Sequence, residues 1–184
     1  GLAIINGTAA MTGIGLVNII RAKQLYRLAV MASCLINEIV SSFDDHFAQP
    51  LNDVKKHKGQ RAVASMMRDL LKDSHCIRQR DSIYYNNIPD HSVFTDKVQE
   101  YYSLRCVPQI LGPVLDTIDY AEQILIDESN SVNDNPIISE EHEYVFHGGN
   151  FHGDYVSLEM DKVKIAVTRL CMLMERQLNF LLND

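Results

Sequence analysis

The sequence predicts an all-α fold, a bundle of long helices carrying one small β-hairpin. Three observations carry this. Two tracts, one near each end of the chain, have apolar residues at helical spacing. A third apolar tract opens at Pro108, where a proline is well placed in the first turn of a helix. Two short β-prone runs flank a turn around Glu140 and Glu141.

Taken in chain order, residues 1–20 carry no charge. They hold Asn6, Thr8, Thr12 and Asn18 with Gly7, Gly13 and Gly15, and the stretch itself lacks the basic n-region of a signal peptide. A buried strand–turn–helix entry fits better than a membrane span. The first helix is expected from near Met11 to before Asp44-Asp45, with Leu25, Leu28, Ala32, Leu35, Ile36, Ile39 and Phe43 as its apolar face. Residues 60–72 read as a helix after the turn at Gly59. Residues 74–96 show no period and hold Asn86-Asn87 and Pro89, so a mobile loop is expected there. The third helix should run from Pro108 to about Glu128 and break at Asn133-Asp134-Asn135-Pro136. Strands are expected near Ile137-Ile138 and Tyr144-Phe146.

The last helix spans residues 154–183, with Asp154 able to cap its start. Val156, Met160, Val163, Val167, Leu170, Met174, Leu178 and Leu181 form one apolar side, and Leu158, Ile165, Cys171 and Leu173 a second. A helix apolar on two sides is usually buried between neighbours. At about 1.5 Å per residue it is a rod of roughly 45 Å, long enough to pack against other chains. Burial of both Val167 and Ile165 is therefore expected.

The chain has 184 residues, 46% hydrophobic and 22% charged, with net charge −7. That suits a soluble globular protein. From Cys106 to Asp161 there are twelve acidic residues and no Lys or Arg. Nucleic acid and acidic membrane surfaces both need clustered cations, so neither is expected as a partner. Cys34, Cys76, Cys106 and Cys171 are widely spaced, with no Cys-x-x-Cys, and read as free thiols of a reducing, cytoplasmic compartment. His147, His152 and Asp154 lack the spacing of a metal site, and no metal is expected.

Three strings carry chemistry. Asn6-Gly7-Thr8 follows an apolar strand-like run. In Gln99 to Gln109, Arg105 stands just before the expected helix, where a guanidinium beside a positive helix end suits a carboxylate. Tyr102 lies three residues earlier and can donate, accept or shuttle a proton. Asn135 precedes a proline, so its amide can project from a loop, and Gly148-Gly149 lets the backbone approach something closely beside the apolar face of Phe151. Arg105 as a surface ion pair, Tyr102 as a core tyrosine and Asn133-Asp134-Asn135-Pro136 as a mere turn are the bland alternatives. Arg169, Glu175 and Arg176 read as a solvated or interhelical face.

Together these strings resemble the histidine, phenylalanine and tyrosine ammonia-lyase family. Its members share Asn-Gly-Thr, Gln-x-x-Tyr-Ser-Leu-Arg-Cys-x-Pro-Gln, Asn-Asp-Asn-Pro and Gly-Gly-Asn-Phe elements, and all four stand here in family order. The resemblance implies that Asn6 and Tyr102 surround an electrophile and the substrate amine, supported by Gln99. It implies that Arg105 and Asn135 hold the carboxylate of an aromatic L-amino acid and that Phe151 lines the site. The implied electrophile is a methylidene-imidazolone made from Ala-Ser-Gly, which does not occur in residues 1–184. The resemblance thus implies that these residues are the single central helical portion of a longer chain, inert alone, whose homotetramer mixes residues of different subunits in each site. Glu100 replaces the usual Asp, and His57-Lys58-Gly59 the common His-Pro-Gly. His152 resembles the histidine and tyrosine members more than the plant phenylalanine type. An aminomutase of the same family is the alternative activity, and a catalytically inert helical assembly fragment the other reading.

Overall fold

A computed structural model describes residues 5–85 and 97–183, the side chains of 84 and 85 excepted. Residues 1–4 of the run before Asn6 and residues 86–96 of the expected loop lie outside the described residues. The elements are α1 (Ala9–Ile39), a 3-10 turn (Asp45–Phe47), α2 (Gln49–Asp53), α3 (Lys58–Leu71), a π turn (Asp81–Tyr85), α4 (Tyr102–Arg105), α5 (Val107–Ser129), β1 (Ile137–Ser139), β2 (Tyr144–Phe146) and α6 (Asp154–Asn183). The fold is all-α with one hairpin, as the sequence predicts. The hairpin is antiparallel and pairs Ile137 with Phe146, Ile138 with Val145 and Ser139 with Tyr144.

Three helix ends differ from expectation, each for a local reason. α1 stops at Ile39, about one turn early. Ser42 N–H reaches Asn37 O at 3.0 Å, Ser41 N–H reaches Glu38 O at 3.0 Å, and Ser41 has φ +49°. This pair of bonds around a left-handed residue is a Schellman ending, with serine in the place glycine usually takes. At the other end, Thr8 is buried and its hydroxyl donates to Glu128 rather than to its own helix. Asp154 lies inside the first turn of α6, where its charge complements the helix dipole, and does not cap it.

The chain forms two compact units, residues 5–24 with 117–166 and residues 25–116 with 167–183. In the first, Gly15 lets helices approach closely, because a Cβ there would lie 2.4 Å from Leu125 Cδ2 and 3.4 Å from Met160 Sδ. Ile19, Ala22, Ile118, Ala121, Leu125 and Val156 are buried in that unit. In the second unit the core holds Phe43, Val63, Met67, Leu104, Val107 and Leu111. There Gln177 is fully buried and donates to Ser33 Oγ at 3.0 Å and to Ser103 O at 2.8 Å. Such a satisfied buried amide fixes the placement of its helix.

The apolar faces chosen from periodicity are only partly the faces this chain buries. On α1 the buried side is Tyr26, Ala29, Val30, Ser33, Cys34 and Asn37, while Leu25, Leu28, Leu35 and Ile39 are exposed. The small and polar side wins within the chain because Ser33 and Asn37 find internal hydrogen bonds. On α6 the buried line is Val156, Glu159, Val163, Ala166, Leu170, Leu173 and Gln177. Val167 is half-buried and Ile165 is 64% exposed, so the expected burial of both is not met within one chain. Leu158, Met172 and Leu178 share that exposure.

Candidate active site

The residues singled out divide between the two units: Asn6, Asn135 and Phe151 in the first, Gln99, Tyr102 and Arg105 in the second.

In the first unit three of the four motifs are knitted together. Gly7 has φ +76°, and a Cβ there would lie 2.5 Å from Asn133 O, so only glycine fits. That places the Asn-Gly-Thr bend directly against the Asn-Asp-Asn-Pro loop, and the part-buried Thr8–Glu128 bond fastens it. Asn135 Oδ1 accepts from Gly148 N–H at 3.2 Å, and Asn150 Nδ2 donates to Val132 O at 3.2 Å. The Asn135 carboxamide therefore spends its oxygen on the chain, and its NH2 has no partner among the described residues. The Asn135–Pro136 bond is cis. A Cβ at Gly148 or Gly149 would meet nothing within 4 Å, so these glycines face open space, and Phe151 beside them is half exposed. His152 Nδ1 lies 3.7 Å from Asp154 Oδ1.

In the second unit Arg105 is held by two neighbours and has no carboxylate partner among the described residues. Its Nη1 donates to Gln99 Oε1, and its guanidinium carbon lies 4.6 Å from the Tyr102 ring centroid. Its Nε is buried without a hydrogen-bond partner. An unpaired buried donor of a cation is costly unless an anion completes it. The helix expected from Pro108 begins at Val107, directly after the α4 turn that carries Arg105. The α4 turn uses the N–H groups of Leu104, Arg105 and Cys106 in its own bonds, to Tyr101 O and Tyr102 O. Burial raises the Cys106 thiol pKa, and Arg105 partly offsets it, so the neighbouring thiol stays protonated and inert.

Tyr102 is 73% exposed and borders a cleft of about 420 Å³ with Tyr101, Met172, Phe180, Arg169 and Arg176. The sequence reads these two arginines as a solvated or interhelical face, and the structure places them on the cleft. Their seven-residue spacing, with Met172 between them, was the available signal that they share one side of α6 with apolar company.

The family model of the aromatic amino acid lyases matches residues 1–184, the whole chain. The chain belongs to this family. Among its relatives, a tyrosine 2,3-aminomutase of Myxococcus sp. (strain Mx-B0) is 39% identical over 192 residues, covering 100% of this chain and 36% of that protein. A histidine ammonia-lyase of Stigmatella aurantiaca is 38% identical, covering 100% of this chain and 34% of that protein. The crystal structure of the tyrosine aminomutase from Streptomyces globisporus superposes with a TM-score of 0.89 at 38% identity, over 100% of this chain and 36% of that one. The chain thus spans about a third of the length of these lyase-family relatives.

Asn6 in the first unit and Tyr102 in the second each, taken separately, have the chemistry to suit the neutral carbonyl-bearing ring that the family motifs imply. Both are exposed, and both offer uncharged hydrogen-bonding groups, a carboxamide and a phenol, without a partner among the described residues.

Proposed function

We propose that the full-length protein eliminates ammonia from an aromatic L-amino acid, histidine or tyrosine in preference to phenylalanine, and releases an arylacrylate. The observation that carries this is Arg105: a guanidinium steadied by Gln99 and Tyr102, with no carboxylate partner among the described residues. Every such substrate has an α-carboxylate, and a planar guanidinium can take both its oxygens.

The methylidene-imidazolone, formed from an Ala-Ser-Gly segment outside residues 1–184, supplies the electrophile when present. Arg105 and the NH2 of Asn135 bind the carboxylate. The sites of this family mix subunits, so the two groups need not come from one copy. Tyr102 holds or moves a proton at the substrate amine, Asn6 donates its amide, and Phe151 gives the aromatic ring an apolar wall. The protein acts as a cytoplasmic homotetramer. The exposed apolar sides of α1 and α6 support that assembly, and the four free cysteines support that compartment. Residues 1–184 alone are expected to be inert.

Relatives named tyrosine 2,3-aminomutase favour one second reading, in which ammonia is returned at the β-carbon. The test is product analysis on the full-length protein with tyrosine, histidine and phenylalanine. Ultraviolet-absorbing arylacrylate with stoichiometric ammonia supports the lyase. Accumulation of a β-amino acid shows the aminomutase, and no turnover of any of the three refutes both.

A further inference from the structure

We infer that Glu100 is a positioning residue: its buried carboxylate fixes the strand of chain that aims Arg105. This rests on the reading of Arg105 as the carboxylate-binding group.

The Glu100 side chain is 2% exposed and is a focus for three elements. Its Oε1 accepts from Phe43 N–H at 3.1 Å, just past the end of α1. Its Oε2 lies 2.6 Å from Lys97 Nζ, and Arg78 Nη2 lies 3.9 Å from Oε1. The guanidinium carbons of Arg78 and Arg80 sit 4.0 and 3.8 Å from the Phe43 ring centroid. Arg80 also donates to Val98 O at 2.7 Å. Residues 97–100 are thus pinned from both sides, and the residue between the pins is Gln99, whose Oε1 accepts from Arg105 Nη1.

A buried carboxylate with cations on it is not needed merely to close a core, since breaking such a pair is costly and apolar packing serves as well. Here it has a directional consequence. Without its charge, Lys97, which is 40% exposed, is free to turn to water and draw residues 97–99 with it. Gln99 would then release Arg105 Nη1, leaving the guanidinium with only the Tyr102 ring to orient it.

The experiment uses the full-length protein. Glu100→Gln keeps the size and an acceptor for Phe43 N–H but removes the charge. KM should rise about tenfold with kcat within about twofold, well short of the loss on deleting the guanidinium itself. Glu100→Asp should restore KM. In an Arg105→Ala background Glu100→Gln should add less than about twofold, because the two act through one contact. A wild-type KM for Glu100→Gln, or additive losses in the double variant, overturns the inference. If Glu100→Gln does not fold, Lys97→Met replaces it. A raised KM at unchanged melting temperature supports the role, and a wild-type KM overturns it. Should Arg105→Ala itself leave kcat/KM intact, the carboxylate reading falls first; if only the Glu100 variants are silent, that reading stands without this one.

Discussion

Replacing Arg105 by alanine in the full-length protein removes the group on which the proposed substrate grip depends. The structure sets the size of the effect. The guanidinium has its Nε buried and unpartnered, one Nη on Gln99, and one face on the Tyr102 ring. An incoming carboxylate therefore meets a partly desolvated, oriented cation, and screening by water is incomplete. Truncating one member of such a pair costs about 2–5 kcal/mol. At about 1.36 kcal/mol per decade, kcat/KM should fall roughly 30-fold to several-thousand-fold. The assay is steady-state kinetics by arylacrylate absorbance, with the electrophile's near-ultraviolet band as a control that should survive. Arg105→Lys should recover only part, because an ammonium lacks the planar fork. A surface ion pair predicts less than about 1 kcal/mol. Wild-type kcat/KM in Arg105→Ala with the band intact would refute the reasoning.

Gly7→Ala should lower the melting temperature and the activity together, since the backbone strain alone costs about 1–3 kcal/mol and Asn133 O stands 2.5 Å from the added Cβ; an unchanged melting curve counts against the bend. His46 is buried, and burial lowers its pKa from 6.5 to about 4 against the opposing pull of Glu100 and Asp45. The unfolded chain takes that proton near pH 6.5 and the folded chain only near 4, so the contribution is complete above 6.5 and lost as pH falls through this window. It is worth roughly 3 kcal/mol, and His46→Gln should flatten the loss in thermal scans between pH 7 and 4.5. Ile165→Asp and Leu28→Asp should dissociate the proposed tetramer of the full-length protein in sedimentation while leaving the helical circular dichroism intact, because both side chains are exposed within the chain; an unaltered assembly would show that these faces are not covered.

The helices were legible because periodicity reports which residues need covering. It does not report by what. Leu28 and Leu35 stood out on α1, yet the chain covers Ala29, Ser33 and Asn37 instead; Ser33 serves as a core residue because the distant Gln177 satisfies its hydroxyl, and that partnership across 144 positions is not visible in the local sequence. The end of α1 was misplaced because a serine adopts the left-handed turn that glycine or asparagine would have announced. Arg105 and Tyr102 stand out from local motif chemistry, and the structure brings the two side chains together. The partnership of Glu100 with Phe43 was not legible, being a contact across 57 positions. The motif showed a substituted acid but not that the acid is buried.

The most direct test of the central claim is a crystal structure of the full-length protein with an unreactive aromatic carboxylate, such as the arylacrylate product. The account predicts the carboxylate oxygens at hydrogen-bonding distance from the Arg105 guanidinium, about 3 Å, with Gln99 still on Nη1. A carboxylate seated on other cations, with Arg105 facing solvent or another chain's acidic group, would contradict it.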